Sequence, residues 1–399
     1  MTGDTADLVC PACTGVSRPL AEWEYSGLND SVFNYTASFY ECWDCGLVYV
    51  ANISDETLAR FYTDECSYFE KAHFEITAPA NIQKYRFYRD VLERAGLTGR
   101  SVTDVGCGRG GFLLWLEQNN WGGNCLGVDI DLKSIPSESG RGTTFQEGRA
   151  LELPFADGTR SLLSYFHVLE HIRNLDRVLA EAARVLHDTG CILIEVPDAE
   201  RYKDIQVGTA FWFSLREHIN HFSPRSIARA LERHGFSVHH VYREVLPTPE
   251  FSYPSLTILA KKGASHDGTE TPSLPWAKRT GWGADSARII GAFVRESKAG
   301  LLAQAGELKA FCSRYAKQTF WGCSAELFSV LPLLGFEGFG ICDSSSLKQR
   351  CSYRGVAIES PATIQKTGAL IVAPYLHGEA IEREAIENGW AKDVVLRLR

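Results

Sequence analysis

Apolar residues between positions 55 and 262 follow two alternating patterns. Segments with apolar residues three and four positions apart, typical of helices, alternate with short apolar runs that predict strands. Two helical patterns occupy 55–95, and runs then end at Asp104 and Asp129, with a third strand expected before 145–155, a fourth within 161–171 and a fifth at 191–197. A helix with Leu175, Val178, Leu179, Ala182, Val185 and Leu186 on one face is expected to end near Gly190. This order predicts a doubly wound parallel sheet of the α/β class.

The flanking regions carry different patterns. Aromatic residues in short runs at 1–54 predict strands, and 263–283 is rich in Gly, Ser, Thr and Pro, as linkers are. A long helical pattern runs from Ala284 to about Tyr315. A second strand-helix set follows within 319–336, 339–350, 355–361 and 369–374, with a final helix carrying Glu379, Ile381 and Ile386. We therefore divide the chain into an N-terminal unit (1–54), a central α/β domain (55–262), a linker and long helix (263–315) and a C-terminal Rossmann-like domain (316–399).

Composition limits the partners that we expect. The chain has 399 residues, of which 45% are hydrophobic and 23% charged, as in ordinary globular proteins of more than one domain. Its formal net charge of −8 argues against a nucleic-acid partner, because that affinity depends on Lys and Arg at the phosphates. No run of 18 apolar residues occurs, and the first ten residues have neither a basic start nor an apolar core. We expect a cytoplasmic protein without a membrane partner; its oligomeric state is not predicted.

Four of the twelve cysteines form two close pairs near the N-terminus. Cys10 and Cys13 make one C-x2-C pair, and Cys42 and Cys45 make the other. Two such pairs can supply four thiolates to a tetrahedral Zn2+ site. A closed site of this kind leaves no position for substrate, so we predict a structural zinc ribbon. The alternative is a pair of reduced cysteine turns without metal.

A glycine-rich turn follows the run that ends at Asp104. The sequence VTDVGCGRGG (102–111) has Gly106, Gly108 and Gly110 at alternate positions, and Asp129 ends the next run. This spacing is tighter than that of dinucleotide-binding loops, and Asp104 would repel a pyrophosphate but suit an ammonium and a sulfonium charge. The stretch resembles motif I of the class I S-adenosylmethionine (SAM) methyltransferases. A carboxylate at Asp129 can take both ribose hydroxyls. The alternative is an ordinary strand-to-helix turn.

The resemblance also implies an adenine side of the SAM site. The family has Gly-Asp-Ala after the third strand, where this chain has Gly148, Arg149 and Ala150. Arg149 would either stack on the adenine ring or point to solvent. We assign Ile130, Arg149, Ala150 and His167 to cofactor binding, with packing or helix capping as the alternative for His167.

A polar loop precedes the helix that we expect at 224–234. Ser223 and Pro224 are a strong helix start, and the loop before them carries Glu217, His218 and His221. A hydroxyl, or a carbon next to a ketone, needs a base before it can accept a methyl group. We predict that His218 is this base, oriented by Glu217, and that His221 is a further catalytic candidate.

Alternatives remain for this loop and its surroundings. Glu217 can pair instead with Arg216 or Arg225, and the two histidines can simply hold the loop by hydrogen bonds. Three aromatic residues, Tyr62, Tyr68 and Phe69, predict either a lid over the site or core packing.

The order of parts resembles the sugar C-methyltransferases over nearly the whole chain. The resemblance rests on the cysteine pairs, the SAM motif, the "EH…FS" loop (217–223), D-x4-K-Q from Asp343 to Gln349, Ser360-Pro361 and the helix with Glu379 and Ile381. It implies a nucleotide-linked keto-deoxysugar between the SAM and C-terminal domains, and a tyrosine/histidine system that removes a proton next to the ketone. The chain departs from the family at Tyr375-Leu376-His377, in place of Trp-Asn, and at 213–216, where a tyrosine is expected.

These patterns predict a SAM-dependent methyltransferase that acts on a small molecule, on carbon or oxygen, with a nucleotide sugar as the first hypothesis. A second hypothesis is another acceptor class: a different secondary metabolite, an amine, a peptide or a carrier-bound acyl group. The third is a SAM-binding module without turnover.

Overall fold

The computed structural model describes residues 8–65, 76–133, 135, 142–205, 207–208, 210–263 and 282–398. Tyr68 and Phe69 of the predicted aromatic lid lie outside these residues. Among the described helices, none combines the length and the apolar character needed to cross a bilayer.

Strands and helices alternate along most of the described chain. The strands are β1 (Leu8–Val9), β2 (Val16–Glu24), β3 (Thr36–Cys42), β4 (Val48–Val50), β5 (Val102–Val105), β6 (Cys125–Asp129), β7 (Thr143–Glu147), β8 (Arg160–Phe166), β9 (Leu186–Pro197), β10 (Asn220–His221), β11 (Phe236–Pro247), β12 (Ser252–Lys262), β13 (Gln318–Trp321), β14 (Gly340–Cys342), β15 (Ser352–Tyr353), β16 (Val356–Glu359), β17 (Ala369–Val372) and β18 (Val395–Arg397). The helices are α1 (Asp55–Arg60), α2 (Pro79–Arg94), α3 (Gly111–Gln118), α4 (Leu175–Val185), α5 (Phe211–Ser214), α6 (Pro224–Arg233), α7 (Trp282–Cys312), α8 (Ala325–Leu334) and α9 (Gly378–Glu387).

The central sheet has seven strands in the order β11-β12-β9-β8-β5-β6-β7. Its strands β5 to β9 are parallel, and β12 runs antiparallel to both β9 and β11. Apolar side chains of α2 and α3 pack in one core layer, and those of α4 and α6 pack in another. The predicted doubly wound α/β sheet is therefore confirmed. The long hairpin of β11 and β12 was not predicted.

The end of α4 differs from the prediction. The helix buries Leu175, Val178, Leu179, Ala182 and Val185 as expected, but it ends at Val185 rather than near Gly190. Leu186 is already extended, with φ −73° and ψ 136°, because it pairs with Arg160 at the start of β9. The apolar spacing at Leu186 fits a helix and a buried strand equally well, and the neighbouring strand decides between them.

The N-terminal sheet incorporates part of the polar loop at 217–223. Its strands lie in the order β1-β2-β3-β4-β10, and β10 pairs Asn220 with Tyr49 and His221 with Val48. The helix that follows has a capping box, in which Ser223 and Ser226 bond each other's main-chain N–H groups at 3.1 and 2.9 Å. The helix predicted at 224–234 is thus confirmed as α6, and the loop before it is held by the N-terminal unit.

The C-terminal region forms a third sheet in the order β15-β16-β14-β13-β17-β18. Its strands are parallel except for the pair β15 and β16. This agrees with the α/β unit predicted at 316–399, although β15 and β18 were not predicted. The side chains of Ser214 and Ser329 share a hydrogen bond of 2.9 Å between α5 and α8, so this unit packs directly on the central domain. The four-part domain division itself stays a prediction.

Candidate active site

The glycine loop, residues 106–110, joins β5 to α3. Gly106, Gly108 and Gly110 have φ values of 73°, 54° and 71°, a region that favours glycine. A Cβ at Gly106 would lie 2.6 Å from Cγ2 of Val168, and one at Gly110 would lie 2.3 Å from Cε1 of Phe145. A side chain at Gly106 or Gly110 is therefore excluded by both the backbone conformation and the neighbouring residues Val168 and Phe145.

Asp129 closes this loop from the end of β6. Its Oδ2 accepts a hydrogen bond from the Gly108 N–H at 2.8 Å, and its Oδ1 accepts one from Asp131 at 3.2 Å. Each carboxylate oxygen keeps a second lone pair for a ligand hydroxyl. The structure thus brings Asp129 to the glycine loop, as the sequence predicts.

Asp104 lies buried at the end of β5, with 4% of its surface exposed. The Ser164 hydroxyl of the adjacent strand β8 donates a hydrogen bond to its Oδ1 at 2.7 Å. Burial, together with the charge of Asp129, raises the pKa of Asp104 to about 7. A bound cation would favour the ionised carboxylate, so this position suits the ammonium group predicted for the ligand. Sequence reasoning missed Ser164, because nothing in the sequence distinguishes its hydroxyl from those of Ser161 and Tyr165 in the same strand.

The predicted adenine side follows β6 and β7. The Gly148 N–H donates to the Asp129 carbonyl at 2.9 Å, which holds Arg149 and Ala150 beside the end of β6, near Ile130. Arg149 is exposed, and its carbonyl accepts the Glu152 N–H at 3.0 Å. The roles of Ile130, Arg149 and Ala150 stay predictions.

His167 stands at the carboxyl end of β8 with a φ of 54°, which is unusual for a residue with a side chain. Its Nδ1 lies 3.0 Å from Oε1 of Glu170, and its Nε2 lies 2.9 Å from the Tyr253 hydroxyl and 3.1 Å from Oε2 of Glu195. Burial acts to lower the pKa of His167, but the carboxylates of Glu195 and Glu170 outweigh it and raise the pKa. His167 is therefore a fixed member of a buried polar network, and its cofactor role stays a prediction.

His218 faces His171, with ring centroids 4.8 Å apart. The His171 Nδ1 lies 3.0 Å from the Glu217 carbonyl oxygen, and its Nε2 lies 4.0 Å from Oε1 of Glu170. One ligand atom from each of Glu170, His171 and His218 lies within 4.8 Å of the others, close enough to hold a metal ion. Burial lowers the pKa of His218 well below its usual value, and the charges of neighbouring histidines lower it further. The His218 ring is therefore neutral at physiological pH.

We call His167, Glu170, His171, Glu195 and His218 the histidine cluster. Sequence reasoning missed Glu170, His171 and Glu195 as site residues. The signal for Glu195 was present, since it is the one charged residue in the apolar run 191–197. Val168 lies between His167 and Glu170 of the cluster, and it is the residue that a Cβ added at Gly106 would clash with. The glycine loop and the histidine cluster therefore adjoin at one edge of the sheet.

The other two predicted catalytic residues occupy different places. Glu217 contributes its main-chain carbonyl to His171, and no hydrogen bond within the described residues joins its side chain to His218. His221 lies in β10, fully buried, with its Nδ1 3.1 Å from the Tyr202 hydroxyl and its ring stacked on Phe39. Burial lowers the pKa of His221 to about 3. This placement favours the alternative in which His221 holds the loop.

The two cysteine pairs meet as predicted. The sulfur atoms of Cys10 and Cys45 lie 3.6 Å apart, and those of Cys13 and Cys42 lie 3.5 Å apart. All four sulfurs lie within 4.8 Å of one another, so the set could hold a metal ion.

The C-terminal domain meets the central domain near residue 208. A Cβ at Gly208 would lie 3.2 Å from the ring of Tyr375, and His377 pairs with Glu250 at 3.6 Å. Within the D-x4-K-Q motif, Asp343 accepts the Cys323 N–H at 2.7 Å and pairs with Lys348 at 3.2 Å. The residues of this motif thus bond one another at the ends of β13 and β14.

The parallel sheet, the glycine loop and the acid at the end of the second strand are the features of a Rossmann-like domain that binds a nucleotide-type ligand. Residues 80–241 match a family model described as "Methyltransferase domain". This stretch contains both the glycine loop and the histidine cluster. Residues 80–241 thus form a methyltransferase domain, and the residues of its glycine loop fit SAM.

Individual relatives match shorter parts of the chain. Over 121 residues it is 35% identical to a probable chloroplastic tocopherol O-methyltransferase of Oryza sativa subsp. japonica, covering 26% of this chain and 33% of the relative. Over 103 residues it is 28% identical to ajmaline N-methyltransferase of Rauvolfia serpentina, covering 24% and 35%. The chain thus spans about a third of the length of these curated relatives. A solved SAM-dependent methyltransferase from Mesorhizobium loti aligns over 47% of this chain and 100% of its own, with 17% identity and a TM-score of 0.37.

Proposed function

We propose that the protein transfers the methyl group of SAM to a small-molecule acceptor bound against the histidine cluster. The observation that carries this proposal is the closeness of Val168 to Gly106, since a Cβ added at Gly106 would lie 2.6 Å from Cγ2 of Val168. The glycine loop and the cluster therefore share one edge of the sheet. Ligands of such sheets bind beyond the carboxyl ends of the strands. Asp129 would hold the ribose hydroxyls, and Asp104 would face the ammonium group. When bound, SAM supplies an electrophilic methyl group.

We propose His218 as the residue that activates the acceptor. Its neutral ring offers a lone pair to the proton of a hydroxyl or of a carbon next to a ketone. A ring with so low a pKa is a weak base, so its contribution as a base depends on contact with the acceptor proton rather than on intrinsic proton affinity. Glu217 supports this arrangement through its carbonyl bond to His171.

Our first hypothesis for the acceptor is a nucleotide-linked keto-deoxysugar held between the central and C-terminal domains. The proximity of Tyr375 to Gly208 supports a site at this junction. The curated relatives are named for tocopherol and ajmaline, both small molecules, which supports the broader class of acceptor. An amine acceptor is the second candidate, because one of these relatives is an N-methyltransferase.

We also propose that the four cysteines hold a structural Zn2+ ion. The sulfur cluster lies between the turns that precede β2 and β4, and a tetrahedral ion there would stabilise the sheet that anchors β10. We assign the ion no part in methyl transfer.

The test incubates the protein with labelled SAM and three acceptor pools: nucleotide sugars, amines and peptides. We expect label in the nucleotide-sugar pool, and its loss with His218→Gln. The matched control is His240→Ala, since His240 is an exposed histidine on β11. Label found in the amine or peptide pool alone would overturn the sugar hypothesis, and SAM binding without label in any pool would favour a module without turnover.

A further inference from the structure

We propose that Glu170, His171 and His218 bind a divalent transition-metal ion, and that the methyl acceptor completes its coordination through an oxygen atom. The second half of this inference rests on the proposed methyl transfer. It gives His218 the role of a metal ligand in place of a base.

The three side chains are brought together by main-chain bonds between two segments. Glu170 and His171 lie in a single 3-10 turn, Leu169–His171, directly after β8. The Ile219 N–H, next to His218, donates to the Glu170 carbonyl at 2.8 Å. The Asn220 side chain donates to the carbonyls of Leu169 and Ile172 at 3.0 and 2.7 Å. These hydrogen bonds hold the loop that contains His218 against the turn at Leu169–His171. They therefore position the three ligand atoms before an ion binds.

Each ligand atom has the surroundings that a metal site requires. The bond from His171 Nδ1 to the Glu217 carbonyl leaves Nε2 as the free nitrogen, and metal-binding histidines are usually oriented by such a carbonyl. Glu170 uses Oε1 toward His167, whereas its Oε2 is buried without a hydrogen-bond partner in the described structure. The Nδ1 of His218 is likewise buried without a partner there. Buried polar atoms are rarely left in this state, so the two atoms point to an absent ligand.

The donor set selects the kind of ion. Two imidazoles and one carboxylate suit Zn2+, Fe2+ or Co2+, whereas Mg2+ and Ca2+ prefer oxygen ligands alone. Three protein ligands also leave coordination positions open, as in catalytic sites, while the four cysteines form a closed set. The protein would then hold two metal ions of different character.

Coordination would activate an acceptor oxygen at neutral pH. The bound hydroxyl or enol loses its proton to water, because the ion lowers its pKa. The oxygen, or the carbon conjugated with it, then forms a bond to the methyl carbon as the S–CH3 bond breaks. The electron pair of that bond leaves with S-adenosylhomocysteine.

The experiment measures metal content and cobalt spectra of the full chain. Co2+ is added to metal-free protein, and thiolate-to-cobalt charge transfer reports the cysteine site, while weaker d–d bands without charge transfer report the histidine site. We expect about two equivalents of Co2+ in the unmodified protein and in the His240→Ala control, but about one in His171→Gln and in His218→Gln. Thermal unfolding of each variant shows whether it folds.

The outcomes separate this inference from the proposed function. One equivalent in the unmodified protein, with charge-transfer bands alone, overturns the metal site. Methyl transfer is also measured after a chelator has removed the second equivalent of metal. If the rate is unchanged, the proposal that the acceptor coordinates the ion is wrong, while the proposed methyl transfer stands. A second equivalent that binds to a protein with no transferase activity overturns the proposed function but leaves the metal site.

Discussion

The glycine loop and the histidine cluster lie side by side but are built in different ways. The glycine loop and its two acids come from one stretch, 104–129, in which β5 and β6 are consecutive in the chain and adjacent in the sheet. The histidine cluster joins residues from the end of β8, from β9 and from the loop before β10. The first is therefore a local motif, while the second exists only after distant segments pair.

This difference has a chemical counterpart. The glycine loop works through main-chain atoms and two carboxylates. The ligand that these groups bind can therefore be the same for many different acceptors. The histidine cluster works through buried and half-buried side chains whose charges depend on one another, as the raised pKa of His167 and the lowered pKa of His218 show. Activation of the acceptor should thus depend on the cluster, and the two regions should respond separately to substitution.

The largest effect is expected from His218→Gln. Loss of an acceptor-activating group should lower the rate of methyl transfer by about 10²–10⁴-fold. The dissociation constant for SAM should not change, because His218 lies outside the glycine loop. Calorimetric SAM titration and single-turnover methyl transfer provide the two measurements. Weaker SAM binding by this variant would show that the glycine loop and the histidine cluster do not act separately.

The converse variant is Gly106→Ala. The φ of 73° and the clash of an added Cβ with Val168 should displace the glycine loop. SAM binding should then weaken by about 2–3 kcal/mol, which corresponds to roughly 30–150-fold. Gly96→Ala is the matched control, because Gly96 has a φ of 68° but nothing within 4 Å of an added Cβ. The control should lose stability and keep its affinity for SAM. Equal loss of SAM affinity in both variants would show that the contact with Val168 is irrelevant.

A third prediction concerns the anchor of the cluster's loop. Because burial lowers the pKa of His221 from 6.5 to about 3, the folded state keeps this ring neutral while the unfolded chain takes up a proton. Its stabilising contribution is present above pH about 6.5 and is lost as pH falls toward 3; at pH about 5 the loss is about 2 kcal/mol. Urea unfolding at pH about 7 and about 5 should show a smaller pH effect in His221→Gln than in the unmodified protein. An unchanged pH effect in that variant would assign the acid sensitivity to other groups.

The smallest effect is expected at Asp104. Its carboxyl has a pKa of about 7, and a cationic ligand binds better to the ionised form. Affinity for SAM should therefore increase roughly tenfold between pH about 6 and about 8 and then level off. Asp104→Asn should bind SAM weakly at both pH values and show no such increase. An affinity independent of pH in the unmodified protein would mean that SAM does not meet this carboxylate.

Prediction from sequence succeeded where neighbours in the chain are neighbours in the fold. The glycines, Asp104 and Asp129 were found because a strand, a tight turn and the next strand have local signatures, and the four cysteines were found for the same reason. The helix α6 was predicted at its start because Ser223 and Pro224 mark it directly. The strands β11 and β12 were not predicted, although β12 is buried along most of its length.

The histidine cluster shows the limit. His171 and His218 stand far apart in sequence. The polar loop at 217–223 pointed to His218, but no local signal distinguishes His171 from a packing residue. Glu195 lies in an apolar strand and becomes a partner of His167 only because β8 and β9 are paired. His221 follows His218 by three residues, yet it belongs to the N-terminal sheet and not to the cluster, because it pairs with Val48 of β4.

The sequence by itself determined the class of the central domain, the glycine loop with its two acids, and the cysteine set, because each depends on spacing within a short stretch. The tertiary structure alone decided which histidines meet, what carboxylates surround them and which of their nitrogen atoms stay free. The physical reason is that burial and neighbouring charge set the protonation of a histidine, and both come from segments that only folding brings together.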